Sequence, residues 1–344
     1  MSIDSKETLD YLLDGNNLSE EQAGDVMRLL AEGSLEPVRA GALLAALRAK
    51  GETADEIRGF ANAMRDLAQP FKRAADLPAA DSVGTGGDGS GSLNLSTGTA
   101  LLAAACGVPM AKHGNRSVSS QSGSADVLEA LGITLPPNPD VAADCLTHTS
   151  FTFLFAPVFH PAMKEIAPVR GALGVRTVFN ILGPLTNPAK PPYNLIGAFS
   201  LPMAKLMAES LAGMPHVERA FVVYGEPGWD EATPVGRFEL FDVSQGRVHQ
   251  EQRDPRDYGI ARCQPEDLQG GDATHNAAAL EDVLNGRERG AHYDALLLGT
   301  GLILEVTGRV RTLEEGIAMA GTAISDGSAA ALLRQLRAYS ESIA

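Results

Sequence analysis

Apolar positions spaced three and four apart dominate the first part of the chain. In ADEIRGFANAMRDL, Ile57, Phe60, Met64 and Leu67 recur on one helical face. Ser19 with Gln22, and Thr53 with Glu56, have the spacing of capping boxes at helix starts. Gly15, Gly33 and Gly51 fall at helix ends, Pro37 suits a first turn, and Pro70 closes the segment. Beyond Pro70 the pattern changes. Short apolar runs at 81–83, 152–155, 195–199, 220–224 and 238–243 read as buried strands. Small-residue helical stretches at 97–106, 125–131 and 203–211 separate them, and a long helical region runs from about 276 to the end. This alternation predicts an α/β domain with a mostly parallel central sheet. The boundary falls near 70–80, which gives a small helical domain at 1–75 and an α/β domain at 76–344.

Composition narrows the class. No run approaches the roughly 18 apolar residues of a membrane span. The start, MSIDSKETLD, lacks the basic and apolar parts of a signal peptide. Cys106, Cys145 and Cys263 lie far apart without C-x-x-C spacing, so they read as small buried apolar residues in a reducing cytoplasm. The net charge of −15 speaks against a protein that grips nucleic acid and favours a small-molecule enzyme in whose field cations are welcome. The expectation is a cytoplasmic protein with neither nucleic acid nor membrane as partner.

The densest chemistry lies in VGTGGDGSGSLNLST at 83–97, where Gly84, Gly86 and Gly89 spell G-x-G-x-x-G. A dinucleotide fingerprint needs a helix opening at the third glycine and an acidic residue roughly 20 positions on. Neither is present: the loop continues through Ser92, and no Asp or Glu occurs from Gly89 to Ala125. Within that acid-free stretch, KHGNRSVSSQSGS contributes Lys112, His113 and Arg116 and reads as a second loop that adds positive charge to the first. Asn94, Ser96 and Thr97 lead into an apolar helix whose N-terminus suits an anion. Two loops of turn glycines on the surface are the alternative to a site for a heavily phosphorylated ligand. No Walker A sequence occurs.

Asp230-Glu231, in a Gly/Pro-rich turn after the strand at 220–224, is placed either to bind Mg²⁺ or to form a solvated turn. In the segment 155–188, Arg170 and Arg176 offer planar forks for a carboxylate, although an isolated arginine is more often a surface or structural ion-pair residue; His160 there reads as packing. No Ser-His-Asp order, nucleophile elbow or reactive-cysteine context is present. A reaction without a covalent nucleophile is therefore expected.

Five segments together closely resemble the anthranilate phosphoribosyltransferases of tryptophan biosynthesis. They are GTGGD (84–88), NLST (94–97), KHGNRSVSSQSGSAD (112–126), VRGALGVRTVFNILGPLTNP (169–188) and the acidic pair. The resemblance spans the chain. It implies a nucleoside phosphorylase/phosphoribosyltransferase-like fold whose small helical domain is joined by an insert around 160–190, assembled as a homodimer through the helical part. It implies that anthranilate and 5-phosphoribosyl 1-diphosphate give N-(5-phosphoribosyl)anthranilate and diphosphate, with Mg²⁺ as a pair of ions per monomer. Carried over by motif, Gly84, Gly87, Asp88, Ser92, Asn94, Leu95, Ser96 and Thr97 hold the phosphoribosyl diphosphate. Lys112, His113, Gly114, Asn115, Arg116, Ser117, Val118, Ser119 and Ser120, with Ser124, help to close over it. Ser96, Asp230 and Glu231 serve the metal; Gly84, Asn115 and Arg170 meet anthranilate, with Arg170 facing its carboxylate. Three positions depart from the family's habit: Tyr224 stands where His is frequent, Trp229 where a small aliphatic residue precedes the acidic pair, and Gly171 where a second basic residue is common. Changes in substrate entry or loop mobility are the expected effect of the first two. Two other readings, a pyrimidine nucleoside phosphorylase and a non-enzymatic ligand sensor, would show phosphate-dependent base release or no turnover respectively.

Overall fold

A computed structural model describes residues 4–72, 77–117 and 121–343. Val118, Ser119 and Ser120 of the expected donor loop lie outside the described residues.

Four helices open the chain: α1 (Ser5–Leu13), α2 (Glu20–Ala31), α3 (Pro37–Lys50) and α4 (Ala54–Asp66). Both expected capping boxes form, with Ser19 on Gln22 and Thr53 on Glu56. Glu56 does more than cap. Its buried carboxylate also accepts from the Leu18 amide at 2.8 Å and pairs with Lys50 at 2.9 Å, tying α4 to the ends of two other helices. Ile57, Phe60 and Met64 are buried on one face, while Leu67 lies past the helix end and is half-buried.

The rest alternates. β1 (Ala80–Gly84), α5 (Leu95–Ala105), β2 (Met110–Gly114), α6 (Ser124–Ala130), α7 (Pro139–Thr149) and β3 (Phe151–Phe155) come first. The short helices α8 (Ala156–Phe159), α9 (Met163–Leu173) and α10 (Phe179–Leu182) form the insert. Then follow β4 (Tyr193–Gly197), α11 (Leu201–Ala212), β5 (Arg219–Gly225), β6 (Phe238–Ser244) and β7 (Arg247–Arg253). The helical region expected from about 276 is four separate helices: α12 (Ala273–Leu284), α13 (Ala291–Val306), α14 (Leu313–Ser325) and α15 (Ser328–Ile343). Among the described residues, no single helix is long and apolar enough to cross a membrane.

The strands form one sheet in the order β3-β2-β1-β4-β5-β6-β7. The first five are parallel and the last two antiparallel, as expected of a mostly parallel sheet. One apolar cluster packs α5 and α12–α15 on one face. A second joins α1–α4 to α9–α11 and to Ile196, Val222 and Phe241 on the other face. From β1 the chain first moves outward to β2 and β3, and later returns to lay β4 on the opposite side. The carboxyl ends of β1 and β4 therefore flank the switch point where open α/β sheets bind ligands.

Two strands escape the hydrophobic pattern. β7 reads RVHQEQR because it is an edge strand with little apolar burial. β2 carries Lys112, His113 and Gly114, which the sequence reading placed in a loop. They occupy an inner strand because neighbouring groups offset their polarity. Lys112 Nζ donates to the Ser82 carbonyl at 2.5 Å, and the Asp81 carboxylate lies nearby. Cys106 and Cys145 are buried as expected, but Cys263 is only half-buried.

Candidate active site

The loop after β1 turns on left-handed glycines, including Gly86 (φ +70°) and Gly87 (φ +72°). Three consecutive residues of this loop hold three different elements. Thr85 bonds to β4, its amide donating to Gly197 O (2.9 Å) while its hydroxyl accepts from the Phe199 amide (3.2 Å). The Gly86 amide donates to Asp230 Oδ2 at 2.5 Å. The Gly87 carbonyl accepts from the Arg176 guanidinium. Glycine is needed at Gly84 as well, where a Cβ would strike the Asp230 carboxylate.

Downstream, Asp88 Oδ1 accepts from the amide (3.1 Å) and hydroxyl (3.0 Å) of Ser90. Ser92 pairs across to Gln269. Asn94 is the N-cap of α5, so Leu95, Ser96 and Thr97 form its first turn. Leu95 packs its side chain into the core and can present only backbone to a ligand. Thr97 is fully buried, with no hydrogen-bond partner for Oγ1 among the described residues.

The acidic pair reaches this loop from the end of β5. Asp230 is buried and Glu231 half-buried. Burial, and then the charge of Asp88, push the Asp230 carboxyl well above its usual range. Burial and the charge of Asp230 push Glu231 up to about 8, against the opposing pull of Lys112. Lys112 Nζ also lies 3.3 Å from Ser96 Oγ. Behind it, buried Asp81 accepts from Asn187 Nδ2 (2.7 Å) and the His113 amide (3.3 Å), and burial lifts its carboxyl to about 6. Asp88, Asp230 and Glu231 thus crowd together with one ammonium to offset them, an arrangement that a hard divalent cation would relieve. Among the described residues no three His, Cys, Asp or Glu side chains converge on a single ion position. A cation here would therefore complete its shell with the Ser96 hydroxyl, water and ligand oxygens, as Mg²⁺ commonly does.

The expected gain of positive charge from the second loop is not realised. His113 is buried and held neutral, its ring pushed down to about 3 by burial and by the neighbouring His160, whose centroid is 5.1 Å away. Arg116 pairs with Asp126 (2.8 Å) and Glu129 (2.6 Å), the first acids after the acid-free stretch. Lys112 is the cation this segment brings to the crevice, and it arrives from a strand. Gly114 ends β2; beyond it the Asn115 carbonyl accepts from Ser124 Oγ at 3.3 Å, and the Ser117 amide reaches Asp126 at 3.2 Å.

Arg170 sits in the last turn of α9, half-buried, with its guanidinium 4.9 Å from the Phe179 ring centroid. Among the described residues it makes no ion pair, so its fork is free for a carboxylate. Trp229 packs into the main core, and Tyr224 is half-buried in the second cluster. For Trp229 this makes anchoring of the acidic turn its structural role. Gly171 faces open space.

Sequence reasoning missed a further support. Asn276 Nδ2 donates to Asn94 Oδ1 and Ser122 Oγ, both at 2.8 Å, and its Oδ1 accepts from the Gly271 amide at 2.7 Å. The glycine pair of GGDATHN was the available signal, since a Cβ at Gly270 would press on the Ser92 carbonyl.

Residues 76–330 match the glycosyl transferase family α/β domain, and residues 6–68 match its helical bundle domain. Fold and crevice thus define a two-part glycosyltransferase. A curated relative from Rubrobacter xylanophilus named anthranilate phosphoribosyltransferase is 43% identical over 98% of each chain. One of the same name from Brevibacillus brevis is 45% identical over 96% of each. The crystal structure of anthranilate phosphoribosyltransferase from Thermus thermophilus matches with a TM-score of 0.91 and 44% identity over 97% of this chain and 99% of that one. The Saccharomyces cerevisiae enzyme in complex with PRPP and Mg matches with a TM-score of 0.89 and 27% identity over 98% of each. The chain belongs to the anthranilate phosphoribosyltransferase family.

Proposed function

We propose that the crevice at the carboxyl ends of β1 and β4 is where this chain carries out its family's reaction. The phosphoribosyl group of 5-phosphoribosyl 1-diphosphate passes to the amine of anthranilate, giving N-(5-phosphoribosyl)anthranilate and diphosphate. The observation that carries the reading is the junction of Gly86 with Asp230, which brings a phosphate-type loop onto a crowded acidic turn. In this reading Gly84, Gly87, Asp88, Ser92, Asn94, Ser96 and Thr97 hold the diphosphate end, with Leu95 contributing backbone. Lys112 to Ser117 and Ser124 border the donor.

Ser96, Asp230 and Glu231 would hold Mg²⁺, as a pair of ions per monomer, and the metal would offset charge on the diphosphate. Arg170, helped by Gly84 and Asn115, orients anthranilate through its carboxylate. The amine nitrogen then forms its bond to C1 as the C1–O bond to diphosphate breaks, and the amine proton leaves afterwards. Lys112 and the loop amides stabilise the departing charge, so the chain needs no covalent nucleophile.

The small domain is taken as residues 1–75 with the insert at 160–190. Exposed Tyr11, Leu13 and Val38 on α1 and α3 support dimerisation through it, and a cytoplasmic setting suits the free cysteines. The test of the site is the double variant Asp230→Asn, Glu231→Gln. Loss of Mg²⁺-dependent turnover with retained fold supports the assignment; full Mg²⁺-dependent activity refutes it.

A further inference from the structure

We infer that Arg176 is a positioning residue that couples the donor loop to the acceptor helix, so that filling the diphosphate site tightens anthranilate binding. This rests on the reading of the crevice given above and concerns a residue that reading leaves without a role.

Arg176 is fixed at both ends. Its guanidinium donates to the Gly87 carbonyl and lies 4.3 Å from the Phe199 ring centroid. Its own carbonyl accepts from Arg48 Nη1 of α3 at 3.3 Å. Among the described residues it has no carboxylate partner, although the chain carries 43 acids. A surface arginine committed to a backbone carbonyl senses the loop's conformation rather than a charge. Gly87 has a φ of +72°, which favours glycine, and a Cβ there would lie 2.8 Å from the guanidinium and push it from its place.

The path to the acceptor side is short. α9 ends at Leu173, with Gly174 left-handed and its amide bonded to the Arg170 carbonyl at 3.3 Å. Arg176 follows Gly174 by two residues, and the Thr177 amide is held by Asn180 Oδ1 at 2.9 Å. Holding Arg176 therefore sets the end of the helix that carries Arg170. On the donor side, Gly86 is tied to Asp230 next to Gly87. A ligand that fixes the glycine loop fixes the Gly87 carbonyl, and through Arg176 the acceptor helix. Such coupling is reciprocal, and values of several-fold are ordinary.

The experiment measures anthranilate affinity by its fluorescence, with and without inorganic diphosphate and Mg²⁺, in the full-length protein. For the unmodified chain, diphosphate with Mg²⁺ should tighten anthranilate binding about 5-fold or more. Arg176→Ala should bring that ratio close to one while each ligand alone still binds. Arg176→Lys, which keeps a donor without the planar stack, should recover part of it. Should Arg176→Ala fail to fold, Arg176→Lys and Phe199→Leu, which removes the ring platform, carry the test through a reduced ratio. An unchanged ratio in folded variants overturns the inference, as does an unmodified protein that binds both ligands independently. An unmodified protein that binds neither ligand overturns the reading of the crevice itself, and the inference falls with it.

Discussion

The Gly86 amide donates to Asp230 Oδ2 at 2.5 Å, joining loops 144 residues apart in the chain. The bond needs an uncrowded approach from both sides. Gly84 leaves room for the Asp230 carboxylate, and Gly197, at the end of β4, leaves room for its carbonyl. Glycines on adjacent strands thus create the close packing that turns two weak sequence signals into one crevice.

Gly197→Ala should break this arrangement, because its Cβ would land on the Asp230 backbone. Overpacking of this kind costs about 1–3 kcal/mol. The melting temperature should drop by a few degrees, and turnover at saturating substrate should fall more than about 10-fold as the acidic turn shifts. Unchanged turnover would show that the turn has no part in catalysis.

Stability should depend on pH in a direction set by Glu231. Its carboxyl rises from 4.5 in the unfolded chain to about 8 in the fold, first by burial and then by the charge of Asp230. Between those values the folded state holds a proton that the unfolded chain has released. The contribution is fully present below about 4.5 and is lost as pH rises through about 8. Asp230, also raised, adds a change of the same sign. His113, His160 and His216, all pushed down by burial, give the opposite slope up to about pH 6.5. The metal-free melting temperature should therefore fall from about pH 6.5 to about pH 8, and saturating Mg²⁺ should recover most of that loss. Differential scanning calorimetry at several pH values checks both; a flat metal-free profile contradicts the assignment.

Arg170→Ala should raise the KM for anthranilate at least about 10-fold, about 1.4 kcal/mol of lost binding, with the donor KM little changed. The guanidinium stands free of ion pairs among the described residues, so its removal strands no partner charge. Steady-state kinetics with each substrate varied in turn separates this outcome from a general loss of fold, which would disturb both constants.

Trp229 is the single tryptophan and immediately precedes the acidic pair, packed into the main core. Its emission should change on titration with Mg²⁺, and the change should vanish in Asp230→Asn, Glu231→Gln. Trp229→Ala should cost about 3–5 kcal/mol by cavity formation. A melting curve indistinguishable from that of the unmodified protein would show that the indole does not anchor the turn.

Much of this was legible because local rules and tertiary context agree. The capping boxes at Ser19 and Thr53, the apolar strands β1, β3, β5 and β6, and the helix read at 97–106, which opens two residues earlier at Leu95, all combine a local signal with burial of the expected face. β2 was hidden because its Lys112 and His113 look like solvent residues. Their burial depends on Asp81, Ser82 and Gly183, partners set by strand order rather than by sequence neighbourhood. The acid-free stretch borders the crevice through Lys112 and Ser96, but not with the positive charge read into its loop. Its arginine is neutralised by Asp126 and Glu129 just beyond the stretch, and its histidine is kept neutral by burial. Arg176 and Asn276 act through backbone and amide contacts across 89 and 182 residues, and no spacing pattern reports such contacts.

The most direct measurement mixes the purified protein with anthranilate, 5-phosphoribosyl 1-diphosphate and Mg²⁺ and follows anthranilate fluorescence. The account predicts a steady loss of signal that requires all components and is abolished in Asp230→Asn, Glu231→Gln. Constant fluorescence in the complete mixture, or an equal loss in that variant, would contradict it.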